Sequence, residues 1–493
     1  LQSKPIQFPI NKSSYLQFSH CANSFYLRNQ NLVEKNQNTF SGSLEWKEFQ
    51  NICLSQFESV RIINPELSKP QQIEETKKGI LERVPVSGGQ LLFGQMICFT
   101  EFLYPDENGI SWTLYDFRPV SSHKLDILRS LFFQNKILSL LAIPISDTKL
   151  IKINPSYILE GNFNAKEYLS VESVADRLKR EEERFELEWK DFQSFVEQHD
   201  FSFPIQGYKH CNSPKSCIAS NQCYPQEKNF EIFDLREAHD LGPKFFQAGF
   251  RFLKDLPEEE LNPIQRIQVT AHRNEEVYFD LGALSKFLET DSDLVAFLDF
   301  ETINPAIPIF EGTKPFQHCP FLYSIHIWDQ NSESPIHHSY IHHPENGDPR
   351  KIVLQKLFED LPKEATVYCF NDFFEKQVIE NLVEQHPENR TEWHIRRENF
   401  KDLAKPFKHF WIYSPKQKGK ASLKEILPAF FDISHESLSI KLGQDANYQY
   451  LRLLKKQVTE DEKLRVLEDL ENYCKMDSYA LFLLYQMIRQ KIG

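Results

Sequence analysis

Three groups of side chains in this sequence have the chemistry to act on a substrate or a metal. The first is the pair Asp299 and Glu301 in VAFLDFET (295–302), where four apolar residues run into two acids that a hydrophobic core would reject. Successive side chains of an extended strand alternate faces, so the two carboxylates share one side while Phe300 faces the other. Two carboxylates at the end of a buried strand suit a hard divalent cation. The same pattern also arises where a strand simply leaves the core. The second group is Cys211, Cys217 and Cys223, separated by five residues each time in GYKHCNSPKSCIASNQCYP. Three thiols in a loop of Pro, Ser and Asn point to a metal, with His210, Cys21, Cys53 and Cys98 as candidates for a fourth ligand. Zinc loops favour shorter gaps, which leaves zinc and an iron–sulfur cluster both open. The third group is Tyr473 and Asp477, four apart in the helical stretch LENYCKMDSYALFLLYQMI and therefore on one face.

The elements that position these groups belong to a chain of 493 residues, 41% hydrophobic and 26% charged, long enough for two or three domains and too apolar for wholesale disorder. No apolar run approaches the roughly 20 residues of a membrane span, and the first residues lack the basic-then-apolar layout of a secretory signal. Nine cysteines, an odd number unevenly spread, fit a reducing compartment, so a cytoplasmic location is expected. The net charge of −13 argues against a protein that coats nucleic acid through general positive charge, yet phosphate contacts depend on the local field. Residues 401–424 are locally basic, with seven lysines against the single acid Asp402. Phe407, Phe410, Trp411 and Tyr413 lie among them, so aromatic faces could stack bases while Lys405, Lys408, Lys416, Lys418 and Lys420 hold phosphates.

From the N-terminus, Ser13–Asn29 reads as one short amphipathic helix with a Ser cap, carrying Cys21. Residues 91–104 and 111–120 read as a hairpin around the PDENG turn, followed by a helix over Lys124–Leu141 that includes Gln134, and Ser170–Asp200 reads as a long charged helix. Glu101 on one strand, Asp116-x-Arg118 on the next and Gln134 on the helix behind resemble the PD-(D/E)xK nuclease core, in which two acids hold a metal and a Lys stabilises the attacking water. Glu for Asp, Asp for Glu and Arg for Lys depart from that pattern at all three catalytic positions, so the resemblance implies a second nuclease site whose departures point to degeneracy. An early Cys, this core and a late three-cysteine loop together resemble the RecB-like iron–sulfur nucleases. That resemblance implies a [4Fe-4S] cluster on Cys21, Cys211, Cys217 and Cys223, with zinc as the alternative metal.

Residues 229–292 read as connecting helices without a chemical motif. Beyond VAFLDFET come the strands FLYSIHIW, HHSYIHH and TVYCF and the helix NDFFEKQVIENLVEQ, an order that fits the mixed sheet of the ribonuclease-H-like fold. Acid-x-acid on a first strand, Asn371 with Glu375 at a helix start and Tyr473 with Asp477 near the end resemble the three motifs of DnaQ-like exonucleases of the tyrosine type. The resemblance implies that Asp299, Glu301, Glu375 and Asp477 hold two Mg²⁺ or Mn²⁺ ions, that Tyr473 positions a water and that Asn371 touches the nucleic acid. The second motif normally supplies Asp, so Glu375 is a departure, with Asp372 and Asp402 as reserves. Asp372-x-x-Glu375 also reads as a capping box that needs no metal.

With INPAIPIFEGTKPFQ, KDLAKPF and YCKMDSYAL included, the chain resembles over nearly its full length a bacterial family that fuses a RecB-like iron–sulfur module to a DnaQ-like exonuclease domain. The expected fold is mixed α/β: a PD-(D/E)xK-like module with the cluster loop over 1–228, a helical connector over 229–292 and a ribonuclease-H-like exonuclease domain over 293–493. The function implied is 3′–5′ exonuclease action on nucleic acid, single-stranded DNA ends before RNA, by two-metal phosphodiester hydrolysis in a bacterial cytoplasm and without a membrane partner. The rival reading is a catalytically eroded nucleic-acid-binding or scaffolding protein whose cluster is structural.

Overall fold

The computed structural model describes residues 6–31, 41–119, 125–197, 217, 219, 231–238, 241–433, 439–440 and 442–493, with the backbone alone at 41–44 and 243. The chain is mixed α/β and divides into two compact units, Leu1–Lys228 with Ala306–Pro315, and Asn229–Pro305 with Phe316–Gly493. No helix among the described residues is long and apolar enough to cross a membrane.

In the first unit, α1 (Lys12–His20) and α2 (Ala22–Asn29) stand where a single helix is expected. Asn11, not Ser13, caps the first, taking hydrogen bonds from the Ser13 and Ser14 amides. Cys21 is extended and separates the two helices. The surrounding Ser19, His20, Asn23 and Ser24 are weak helix formers, and the Ser19 hydroxyl donates back to the Leu16 carbonyl at 2.8 Å. A six-stranded sheet follows in sequence order: β1 (Arg61–Ile62), β2 (Val86–Phe93), β3 (Met96–Pro105), β4 (Trp112–Arg118), β5 (Ile145–Ile153) and β6 (Leu169–Ser173). The run expected as one strand over 91–104 is split at Gly94, whose positive φ turns the chain between β2 and β3. Strands β2, β3 and β4 form an antiparallel meander, α3 (Lys69–Leu81) precedes it, and α4 (Leu125–Leu140) returns the chain so that β5 runs parallel to β4. The long charged helix begins at Ala175 as α5 (Ala175–Glu197), because Ser170–Ser173 are paired with β5. One face of the sheet packs Leu103 and Leu114 under Phe133, Trp189 and Phe192. The other packs Phe102 and Phe117 with Phe49, Tyr168 and Ala306.

In the second unit, a five-stranded sheet runs in the order 336–341, 319–329, 294–303, 366–369, 400–402. The short β7 (Tyr278–Phe279) lies outside it; β8 (Leu294–Ile303), β9 (Cys319–Asp329) and β10 (Ile336–Ile341) are antiparallel neighbours, while β11 (Thr366–Cys369) and β12 (Phe400–Asp402) run parallel to β8. The alternation of β8 divides the core in two. Ala296, Leu298 and Phe300 pack against Val353, Leu354 and Leu357 and against Ile379 and Leu382 of α7 (Asp372–Gln385), with α6 (Pro263–Asn274) earlier in the chain. Val295 and Phe297 pack against Leu481, Phe482 and Tyr485 of the C-terminal helix.

Residues 229–292 are part of this unit and not a separate connector. β7 pairs with β13 (Ile412–Tyr413), and Gln268 of α6 bonds both the Asp234 carbonyl at 2.8 Å and the Tyr413 hydroxyl at 3.2 Å. Gly419 passes this junction with φ +71°, and a Cβ there would lie 2.0 Å from the Asp234 carbonyl oxygen. Gly419→Ala therefore meets both backbone strain and a clash, and urea unfolding is expected to show a loss of about 3 kcal/mol. An unchanged midpoint would contradict this packing.

Candidate metal centre

The even residues of β8 face the helices at 350–360 and 372–385, so its odd residues carry Asp299 and Glu301 to the opposite side. There they meet the C-terminal helix α9 (Glu460–Ile492), which follows α8 (Gly443–Leu454). Residues 470, 473, 474, 477, 481, 484, 485 and 488 form its buried stripe at three- and four-residue spacing. The lower part of the stripe is the Phe297 contact; the upper part is polar. Ser478 fixes the helix against β9 through the Ser324 hydroxyl at 2.7 Å and His326 Nδ1 at 2.9 Å. Burial and the nearby His337 and Lys475 depress the His326 pKa to about 3, so it serves this network as a neutral ring.

This packing brings one carboxylate oxygen each from Asp299, Glu301 and Asp477 within 4.8 Å of one another. Among the described residues no Lys or Arg pairs with Asp299, Glu301 or Glu375. Burial, then the Asp477 charge, holds Asp299 well above the usual carboxylate range, and burial, Asp299 and Asp477 do the same to Glu301. The Tyr473 phenol donates to Asp477 and is pushed far up by burial and by the three acids. Cys474, fully buried, donates its S–H to Asp299 Oδ2 at 3.3 Å.

Glu375 comes from α7. The helix begins at Asp372, with Asn371 as its cap in the left-handed region (φ 88°) and no side-chain capping bond. Asp372 and Glu375 are thus one position too far into the helix for a capping box, and that reading fails. Glu375 is 5% exposed, its Oε2 has no hydrogen-bond partner, and burial followed by the Asp299 charge raises its pKa. The reserve acids have other duties. Asp372 pairs with Lys376 at 2.6 Å, and Asp402 takes the amides of Asn371 at 2.9 Å and Ala404 at 2.8 Å and pairs with Lys408 at 3.1 Å. Asp402 is what holds Asn371 in its left-handed conformation.

In the first unit the pairing of β3 with β4 ends at Phe102 and Tyr115, and Glu101 and Asp116 are the next residues on the two strands, near enough for the Asp116 charge to act on Glu101. Glu101 accepts from Gln50 at 3.2 Å, and burial dominates its raised pKa. Asp116 is fully buried; one oxygen takes Arg118 Nε at 2.6 Å and the other has no partner. Gln134 is buried on α4, donating to the Ser130 carbonyl at 3.3 Å, with its own carbonyl unpartnered. Arg118 thus sets a positive charge against the buried Asp116 carboxylate.

Of the cysteine set, Cys211 and Cys223, like His210, lie outside the described residues. Cys217 packs against Leu27 of α2, the helix that Cys21 begins. Cys53 and Cys98 lie in two separate apolar cores, where burial pushes the Cys98 thiol up to about 12. The basic stretch is corrected in part: Phe407, Phe410 and Tyr413 are fully buried and cannot stack bases. Lys401 is paired with Asp291, Lys408 with Asp402 and Lys420 with Glu425, which leaves Lys405, Lys416, Lys418 and Lys424 as its exposed cations without an ion pair among the described residues.

Residues 296–422 match a family model described as a domain of unknown function, DUF2779. No curated protein matches the chain. The matched stretch holds Asp299, Glu301 and Glu375 and ends before Tyr473 and Asp477, so it is similar to that domain without an activity attached.

An acid whose folded-state pKa is raised keeps its proton in the native state, so stability falls as pH rises from about 4 toward the raised value. A bound divalent cation displaces those protons, and its stabilisation grows with pH. Thermal unfolding should show a larger Mn²⁺-induced rise in Tm near pH 8 than near pH 6. Asp299→Asn should raise the metal-free Tm near pH 8 and remove most of the Mn²⁺ effect; a lowered metal-free Tm with the Mn²⁺ effect intact would contradict the site.

Proposed function

We propose that the second unit is a metal-dependent 3′–5′ exonuclease of the DnaQ-like, ribonuclease-H-like kind. The observation that carries this reading is the convergence of Asp299, Glu301 and Asp477 from β8 and α9, with the buried Glu375, whose Oε2 has no hydrogen-bond partner, raised chiefly by burial and then by Asp299. The sheet supports it as well: three antiparallel strands continue into two parallel ones in the order third, second, first, fourth, fifth. The donor set fits Mg²⁺ or Mn²⁺, being all carboxylate oxygen, and an orphaned buried oxygen on Glu375 is the kind of group a cation would satisfy. Bound there, such ions would activate a water and stabilise the leaving 3′ oxygen.

The chain's own residues have separate tasks in this reading. Tyr473 stays a neutral phenol at any physiological pH and orients the attacking water as a hydrogen-bond partner, not as a base. Asn371, exposed at the start of α7, presents its amide to the nucleic-acid strand, and the exposed Lys405, Lys416 and Lys418 supply positive field. The proposed substrate is a single-stranded DNA 3′ end, released as mononucleotides.

For the first unit, the succession of helix, three-stranded meander, helix and parallel strand supports a PD-(D/E)xK-like module, and the Arg118–Asp116 pair supports its being degenerate. A [4Fe-4S] cluster on Cys21, Cys211, Cys217 and Cys223 is proposed to close it, supported by Cys217 lying against the helix that starts at Cys21. An anaerobic preparation should be brown and lose its colour in Cys21→Ala and Cys217→Ala, whereas a colourless protein with stoichiometric zinc would overturn the iron–sulfur assignment.

Labelled strands test the activity. With Mn²⁺, a 3′ label should be lost first; Asp299→Asn should slow this by about a hundredfold or more, and Asp116→Asn should leave it unchanged. Binding of the strands without metal-dependent loss of label would favour the non-catalytic reading.

A further inference from the structure

Asp299 stands at the centre of the acid cluster, since its charge acts on Glu301 and on Glu375 and it lies against Asp477. An Asp side chain has two free torsions, so a carboxyl in this cluster keeps one orientation only where donors hold it. Two donors do so. One is the backbone N–H of Phe300, the other is the thiol of Cys474, 3.3 Å from Oδ2. The sulfur also lies 3.6 Å from the Asp299 carbonyl oxygen, so it braces the residue through both backbone and side chain. It does not belong with the three oxygens that converge on one another.

We propose that Cys474 is a positioning residue for the metal centre, holding the Asp299 carboxylate in the orientation that turns it toward Glu301 and Asp477. This rests on the metal-site reading above. Cys474 precedes Asp477 by three residues on α9, so one helix face supplies a carboxylate and the clamp on another. The two are set together by the Ser478 network that seats α9 on β9. A thiol suits the place because it fills a fully buried position between helix and strand as a small apolar group while still offering a donor.

Groups that orient metal ligands from behind typically change metal affinity by about 10- to 100-fold when removed. Mn²⁺ titrations followed by electron paramagnetic resonance on the full chain test the idea. Cys474→Ala should weaken Mn²⁺ binding about tenfold, while Cys474→Ser, which keeps a shorter donor, should recover a good part of the loss. In an Asp299→Asn background the same Ala substitution should have no further effect on Mn²⁺ binding. Equal affinity in wild type and Cys474→Ala, or equal weakening in Cys474→Ala and Cys474→Ser, would overturn the proposal by making sulfur volume, or nothing, the cause. Wild-type protein that binds Mn²⁺ with these differences but cuts no strand would overturn the nuclease reading alone. Wild-type protein that binds no Mn²⁺ would overturn both.

Discussion

Repulsion among Asp299, Glu301, Glu375 and Asp477 is the constraint on which the second unit depends. Two full charges about 5 Å apart in a protein environment oppose one another by about 3 kcal/mol, and burial adds the cost of losing water from each. A fold left with this cluster relieves it by keeping protons on Asp299, Glu301 and Glu375, the direction in which all three are displaced. A core does not gather such groups for stability. The cluster persists because the apolar packing around it is strong enough to carry the cost.

That packing is supplied by the two faces of one strand. Phe297 stacks against Tyr368 at a ring separation of 6.1 Å and meets Phe482 and Tyr485 edge-on, which fastens α9 along β8. The hydroxyl of Tyr485 and that of Tyr368 both donate to Asp291, which also pairs with Lys401. Further along the same helix the apolar stripe gives way to Ser478, Asp477, Cys474 and Tyr473. On the other side, Asp402 shapes the entry to α7 through the Asn371 amide, and the first turns of that helix carry Glu375 inward. Each acid is thus delivered by an element anchored elsewhere.

The pairing of Asp299 with Glu301 was legible in VAFLDFET because period-two alternation leaves little choice, and the Tyr473–Asp477 spacing was legible for the same reason in a helix. Glu375 was harder, since a shift of one residue in the helix start separates a capping box from a buried acid, and propensity does not resolve one residue. The basic stretch misled because aromatic residues among lysines look alike whether they face bases or a core; Phe407 and Phe410 face the core. Asp402, a reserve ligand by composition, proved a backbone anchor. Nothing local announces that Cys474 touches a carboxylate 175 positions away, or that Ala306–Pro315, just past the acidic strand, belongs with the first unit. Those are tertiary facts, set by which faces remain to be covered once the sheets form.

Whether the carboxylates at the end of β8 hold a cation is decided by anomalous diffraction from crystals grown with Mn²⁺. A manganese peak is expected among the carboxylates of Asp299, Glu301 and Asp477, with Glu375 turned toward it; density without an anomalous peak there, or manganese bound only elsewhere on the chain, would rule the cation site out.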